Sequence, residues 1–94
     1  MIPGLPQDLE GRVIVNQFLL RADRVHVLSW NAPLSSAIQG YRIYRNGSLV
    51  ATIPWYQSLV FEDHNRSCQE TDLYQVNAVN SDGFNGSFSS VSLR

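Results

Sequence analysis

Two histidines and a few carboxylates are the side chains of this sequence that could bind a metal. His26 and His64, with Asp23 or Asp63 nearby, contain the two imidazoles and one carboxylate that can hold zinc. The alternation of residues around His26 argues against such a site. It places His26 on the inward face of a strand, where we expect a hydrogen bond to backbone. We therefore predict no metal site.

The single cysteine, Cys68, is the only thiol that could act as a nucleophile. A reactive thiol needs a positioned base and a lowered pKa, and nothing near Cys68 beyond Arg66 indicates either. One cysteine also cannot form an internal disulfide. The sequence contains no Gly-x-Ser-x-Gly motif and no glycine-rich phosphate loop. We predict that the chain is not an enzyme, has no catalytic residues and needs no cofactor.

Two adjacent aromatic residues, Trp55 and Tyr56, follow Pro54 in a predicted loop. Aromatic side chains on loops can anchor a protein partner or stack on a sugar. The structural alternative is that Trp55 folds back over the edge of the domain. We predict that any partner contacts the loop at Trp55 and Tyr56 rather than a cleft, and that at least one ring is exposed.

Length and charge limit the class of protein. The 94 residues suffice for one domain, which we assign to 1–94, with 1–4 expected to be a linker or an added start. The net charge is −1 and all seven basic residues are scattered arginines, so we expect neither nucleic acid nor an anionic membrane as partner. No apolar run approaches the roughly 18 residues of a membrane span.

The elements that must position these residues are short strands. Apolar and polar residues alternate with period two, and turn residues such as Asn46-Gly47 separate the runs. We predict an all-β, seven-stranded antiparallel sandwich without helices. The predicted strands are 5–9 with a continuation at 12–19, 24–30, 38–45, 48–53, 58–63, 72–80 and 87–93. The predicted core residues are Leu9, Leu28, Trp30, Tyr41, Ile43, Val76, Ala78 and Val91.

Four motifs carry a resemblance to a known family. They are Pro6-Gln7-Asp8-Leu9, Leu28-Ser29-Trp30-Asn31-Ala32-Pro33, Gly40-Tyr41 within 38–45, and Tyr74-Gln75-Val76-Asn77-Ala78-Val79-Asn80 followed by Gly83. In this order and spacing they resemble the fibronectin type III family, and most of all its bacterial versions. Two departures stand out: the stretch from Leu9 to Trp30 is longer than usual, which indicates an insertion around 12–23 in the first strand or the turn after it, and there is no Arg-Gly-Asp tripeptide to imply integrin binding.

The resemblance implies an immunoglobulin-like sandwich in which the Tyr74 hydroxyl bonds to backbone within 66–72. It also implies a non-catalytic structural or spacer module of a larger exported or cell-surface protein, one of several tandem copies. The alternatives are a protein- or carbohydrate-binding (adhesion) module and an accessory domain of a glycosidase. The expected partners are neighbouring domains of the parent chain, the expected location is extracellular or the cell surface, and the expected state is a monomer.

Overall fold

The computed structural model describes residues 3–17, 21–33 and 37–94, which form two antiparallel sheets. One sheet has the strand order β1-β2-β5 and the other the order β4-β3-β6-β7. Among the described residues there is no helix that could cross a membrane. The strands are β1 (Gln7–Gln17), β2 (Ala22–Asn31), β3 (Ile38–Arg45), β4 (Ser48–Pro54), β5 (Val60–Asp63), β6 (Asp72–Asn80) and β7 (Ser89–Leu93). The all-β, seven-stranded sandwich predicted from the alternation is confirmed.

The core lies between the two sheets and is formed by inward-facing residues of β2, β3 and β6. Six of the eight predicted core residues are buried, while Leu9 and Val91 are partly buried and pack against them. Tyr74 and Ile53 also belong to this cluster. The rings of Trp30 and Tyr41 meet edge to face with their centroids 5.6 Å apart, a favoured aromatic geometry.

The strand register places the loops at two opposite poles. Gly40, near the start of β3, pairs with Pro54 at the end of β4 and with Val79 near the end of β6. The β2–β3, β4–β5 and β6–β7 connections therefore gather at one end, here called the Trp55 pole. Arg45 pairs with Tyr74, so the β3–β4 and β5–β6 connections gather at the other end with the base of the β1–β2 hairpin. This end is called the His26 pole.

The β1–β2 hairpin accounts for the unusual length of 12–23. Its pairing continues as far as Gln17 opposite Ala22, so the extra residues lengthen two paired strands. The predicted gap between 9 and 12 does not interrupt β1. Instead the register shifts between Gln7 and Glu10, as in a β-bulge, and Asp8 has a positive φ of 52°. Residues 18 and 19 of the predicted strand lie outside the described residues.

The β3–β4 turn has the predicted form. Arg45 and Ser48 pair across it, and the two residues between them, Asn46 and Gly47, have φ values of 51° and 87°. Both values lie in the left-handed region that a type I′ turn requires. At the other end of the chain, Pro3 is buried and its carbonyl lies against Gly86, so residues 3 and 4 pack on the domain. Residues 1 and 2 lie outside the described residues.

Candidate functional site

Trp55 and Tyr56 form an exposed aromatic pair at the Trp55 pole. Proline has no N–H to continue the ladder, and the chain turns after Pro54 with a hydrogen bond from the Gln57 N–H to the Pro54 carbonyl (3.1 Å). The Trp55 N–H donates to the Gln39 carbonyl at 3.0 Å, which ties the loop to β3. The Trp55 side chain is 64 % exposed and that of Tyr56 70 %. The rings therefore point to solvent instead of covering the sandwich edge.

The two rings also contact each other, with centroids 5.8 Å apart and planes at 86°. A third aromatic residue, Phe84 on the β6–β7 connection, is exposed at the same pole. The Asn80 side chain shapes that connection, because its Oδ1 accepts hydrogen bonds from the N–H groups of Asp82 (3.0 Å) and Phe84 (2.9 Å). Phe84 was not among the residues predicted to form a site. The Ser81-Asp82-Gly83 turn signal just before it could have indicated a ring on a loop.

A shallow groove of about 400 Å³ opens beside the aromatic loop. Its centre is Gly40, where an added Cβ would lie 2.7 Å from the Ile53 carbonyl oxygen. The close approach of β4 to β3 thus excludes any side chain at this position and leaves the sheet surface bare. The groove is lined by Gln39, Gly40, Tyr41, Arg42, Thr52, Ile53, Pro54, Val79, Asn80, Ser81 and Gly83. The Trp55 pole therefore carries exposed aromatic rings beside a groove in the sheet surface.

Buried ionisable side chains, among them His26 and Tyr74, lie at the other pole. The Tyr74 hydroxyl donates to Asp63 Oδ2 at 2.6 Å, and its oxygen lies 3.0 Å from His26 Nδ1. The predicted bond from Tyr74 to backbone within 66–72 is therefore wrong, and so is the predicted bond from His26 to backbone. His26 does point inward and is fully buried. The carboxylate of Asp63 outcompetes a neutral carbonyl because a bond to a charged acceptor is stronger.

Two arginines complete this network. Arg45 Nη1 donates to both carboxylate oxygens of Asp63, at 3.0 and 2.8 Å, and Arg66 Nη1 reaches Oδ2 at 3.3 Å. Burial raises the pKa of Asp63, but the hydrogen bonds from Tyr74, Arg45 and Arg66 outweigh it and leave that pKa below its usual value. Burial and the bond to Asp63 raise the pKa of the Tyr74 hydroxyl, so Tyr74 stays protonated.

Asp72 is the second buried carboxylate of the His26 pole. Its Oδ2 lies 3.5 Å from both His26 Nδ1 and Arg66 Nε, and its Oδ1 accepts from Asn46 Nδ2 at 3.0 Å. The Asn46 Oδ1 in turn accepts the Leu73 N–H at 2.8 Å. The turn residue that allows the β3–β4 hairpin therefore also joins that hairpin to β6.

The two histidines belong to different networks. His64 Nδ1 is 2.8 Å from Asp23 Oδ2, and Asp23 Oδ1 accepts the Asn65 N–H at 2.8 Å. The hydrogen bond between them raises the pKa of His64 and lowers that of Asp23. Over 3–17, 21–33 and 37–94, no three His, Cys, Asp or Glu side chains converge as metal ligands would. Cys68 is a free, exposed thiol.

Comparisons with known proteins bear on the fold. No family model matches the sequence, and no curated protein matches it. Among solved structures, the spore cortex lytic enzyme SleM of Clostridium perfringens superimposes with a TM-score of 0.80 at 14 % identity, covering 99 % of this chain and 28 % of that one. The structure of "FN3tt mut" gives 0.69 at 20 % identity, covering 99 % and 96 %.

A glycosidase also carries this architecture. The glycoside hydrolase domain of Endo-D from Streptococcus pneumoniae R6 superimposes with a TM-score of 0.67 at 15 % identity, over 99 % of this chain and 15 % of that one. The chain thus spans less than a third of either bacterial enzyme chain. The central fibronectin III array of RIM-binding protein aligns over 96 % of this chain. The fold of this chain is that of a fibronectin type III domain.

Proposed function

We propose that this chain is a non-catalytic structural module, a spacer, within a larger exported or cell-surface protein. The observation that carries the proposal is the placement of the outer strands. β1 begins at the Trp55 pole, where Gln7 pairs with Asn31, and β7 ends at the His26 pole, where Leu93 pairs with Asp72. A domain entered at one pole and left at the other is suited to connection in series with its neighbours.

Two further observations support this role. The solved structures that share the fold include segments of much longer chains, two of them from bacteria: a spore cortex lytic enzyme and a protein with a glycoside hydrolase domain. The buried ionisable groups of this chain, Asp63 and Asp72 above all, are occupied by structural hydrogen bonds. Neighbouring domains of the parent chain are then the main partners, and the domain itself is a monomer.

The second candidate is a binding module that recognises protein or carbohydrate through the Trp55 pole. The observation that favours it is the exposure of Trp55, Tyr56 and Phe84 at one end of the molecule. Large exposed apolar groups on neighbouring loops are typical of interaction sites. Trp and Tyr are also the residues most enriched among those that dominate binding energy.

One experiment separates the two candidates. The purified chain is tested on a glycan array and by capture of proteins from an extract of its source, alongside Trp55→Ala and a control, Leu49→Ala. Leu49 is also exposed but lies on β4 at the His26 pole. If the chain is a spacer, it should be a monomer, and neither the unmodified chain nor either variant should bind a specific ligand. A ligand that is lost in Trp55→Ala and kept in Leu49→Ala would establish the binding module and reject the pure spacer.

A further inference from the structure

The hydrogen bonds of His26 determine which ring nitrogen carries its proton. The Tyr74 hydroxyl has a single proton, and its 2.6 Å contact with Asp63 Oδ2 has the length of an O–H···O⁻ bond, so that proton is donated to the carboxylate. The hydroxyl oxygen is then the acceptor toward the imidazole. Nδ1 of His26, 3.0 Å away, must be the donor, and the neutral ring carries its proton there.

The other ring nitrogen is where a second proton would have to bind. Nε2 of His26 is buried and has no hydrogen-bond partner within the part of the chain that the structure describes. Protonation would create an N–H at Nε2 that faces this interior without a described acceptor. A buried donor without an acceptor is unfavourable, so the closed pole resists the imidazolium form.

The surrounding charges do not reverse this preference. Burial is the largest influence and lowers the pKa of His26; Asp72 and Asp63 raise it, while Arg24 and Arg66 lower it. The acids and the arginines thus oppose each other, and burial decides the direction. Five elements bring charged and titratable groups to the surroundings of the ring. Arg24 lies on β2, Arg45 on β3, Asp63 on β5, Asp72 and Tyr74 on β6, and Arg66 on the β5–β6 connection.

We propose that His26 is an acid-sensitive switch of the His26 pole, which stays closed while the ring is neutral and opens when Nε2 is protonated. Asp72, 3.5 Å from the ring, and Asp63, which accepts the Tyr74 hydroxyl, also hold Arg66 of the β5–β6 connection. Rearrangement around an imidazolium ring therefore loosens that connection and, through Asp72 and its hydrogen bond from Asn46, the contact between the β3–β4 turn and β6. The β1–β2 ladder away from this pole does not depend on these contacts.

The direction of the pH dependence follows from linkage. Above pH ~6.5 the ring is neutral in both the closed and the open states, and His26 contributes no pH dependence. Below that pH the open state binds a proton that the closed state excludes. Closure is therefore weakened as the pH falls from about 6.5 toward the lowered pKa of the closed state.

Amide hydrogen exchange tests the proposal in the unmodified chain. The Asn46 N–H donates to the Leu73 carbonyl at 2.8 Å, and the Leu73 N–H to Asn46 Oδ1, so both amides report closure of the pole. After correction for intrinsic exchange, we expect their protection to fall by up to about tenfold per pH unit as the pH is lowered below ~6.5. The Trp55 amide, at the opposite pole, should change little. Unchanged protection of Asn46 and Leu73 would overturn the proposal.

Two variants assign the effect to one histidine. His26→Asn keeps an N–H near the Nδ1 position but cannot be protonated, so its protection should not fall with acid in this range. His64→Gln is the matched control. The pKa of His64 is raised by Asp23, so this residue stabilises below pH ~6.5 and loses its contribution above it. His64→Gln should therefore keep the loss of protection below pH ~6.5.

If His26→Asn does not fold, nitrogen NMR of the imidazole rings in the unmodified chain still tests the proposal. In the unmodified chain we expect Nδ1–H and an unprotonated Nε2 at neutral pH, with His26 charging only as the Asn46 and Leu73 amides lose protection. An Nε2–H tautomer would contradict the proposal. So would a His26 that titrates in the closed state near pH ~6.5.

Discussion

Asp63 joins the two sheets through a single carboxylate. It stands at the end of β5 in the three-stranded sheet, yet it accepts hydrogen bonds from Arg45 on β3 and Tyr74 on β6, both in the other sheet. Its side chain is only 12 % exposed, so these bonds are poorly screened by water. The immunoglobulin-like sandwich is thus closed at this end by a charged network, in the place where a tyrosine-to-backbone bond was expected.

Removal of the Tyr74 hydroxyl tests this network. Tyr74→Phe leaves a donor on His26 and one lone pair of Asp63 without a partner in a buried site, so we expect a loss of about 1–3 kcal/mol in the free energy of unfolding. Urea denaturation followed by tryptophan fluorescence measures it. Tyr56→Phe, at a ring that is 70 % exposed, is the control and should be neutral. An unchanged midpoint for Tyr74→Phe would mean that the hydroxyl contributes nothing.

These residue-scale contacts could not be predicted from the sequence. Alternation predicts that His26 faces inward, but its partner Tyr74 lies 48 positions away and meets it only through the packing of one sheet on the other. That Asp63 accepts the Tyr74 hydroxyl was likewise not predictable, because it depends on where β5 ends. The loop position of Trp55 and Tyr56 was predictable because Pro54 ends a strand in any context. The groove at Gly40 was not, since it forms only where β6 packs beside the β3–β4 hairpin.

At the scale of elements, local turn chemistry made most strands predictable. The predicted bounds of β3 and β6 match the structure, because each is closed on at least one side by a turn residue or an abrupt change to polar residues. β5 and β7 each begin two residues later than predicted, because the residues directly before them do not pair in the ladder. In β1 the predicted gap at 10–11 is regular ladder, and the β-bulge lies just before it, between Gln7 and Glu10, where an extra residue shifts the register without ending the strand.

The β3–β4 turn is the element whose geometry depends most on one residue. Gly47→Val places a β-branched side chain at φ 87°, and we expect a loss of roughly 1–2 kcal/mol, the usual cost of a left-handed conformation. Gly47→Asn should lose less, because asparagine tolerates this region. Thermal unfolding of the two variants gives the comparison. Equal stability of Gly47→Val and the unmodified chain would show that the turn can change type without cost.

At the scale of the whole molecule, one tryptophan belongs to the core and the other to the surface. Trp30 is 4 % exposed and packs on Tyr41 in the centre of the core, whereas Trp55 is 64 % exposed at one pole. Trp30→Ala should cost roughly 3–5 kcal/mol. That is a large part of the roughly 5–15 kcal/mol that stabilises a domain, so the variant should be partly or wholly unfolded at room temperature.

Trp55→Ala is the matched comparison within the same chain. It removes the same side chain from a site with little burial, so the free energy of unfolding should change by less than about 0.5 kcal/mol. Circular dichroism in increasing urea measures both variants under one set of conditions. A Trp55→Ala variant as unstable as Trp30→Ala would show that the exposed ring is part of the fold, and would remove the main reason to regard it as an interaction site.

The long β1–β2 hairpin bears on how the module responds to pulling force. Tension applied through β1 and β7 acts from one pole of the molecule to the other, because β1 begins at the Trp55 pole and β7 ends at the His26 pole. Pulling β1 away from β2 then loads the ladder from Glu10 to Gln17 in shear, so that its hydrogen bonds resist together and do not open one at a time as in a zipper. Because the insertion at 12–23 lengthens this ladder, we expect the domain to resist mechanical extension more than a module with a shorter first hairpin.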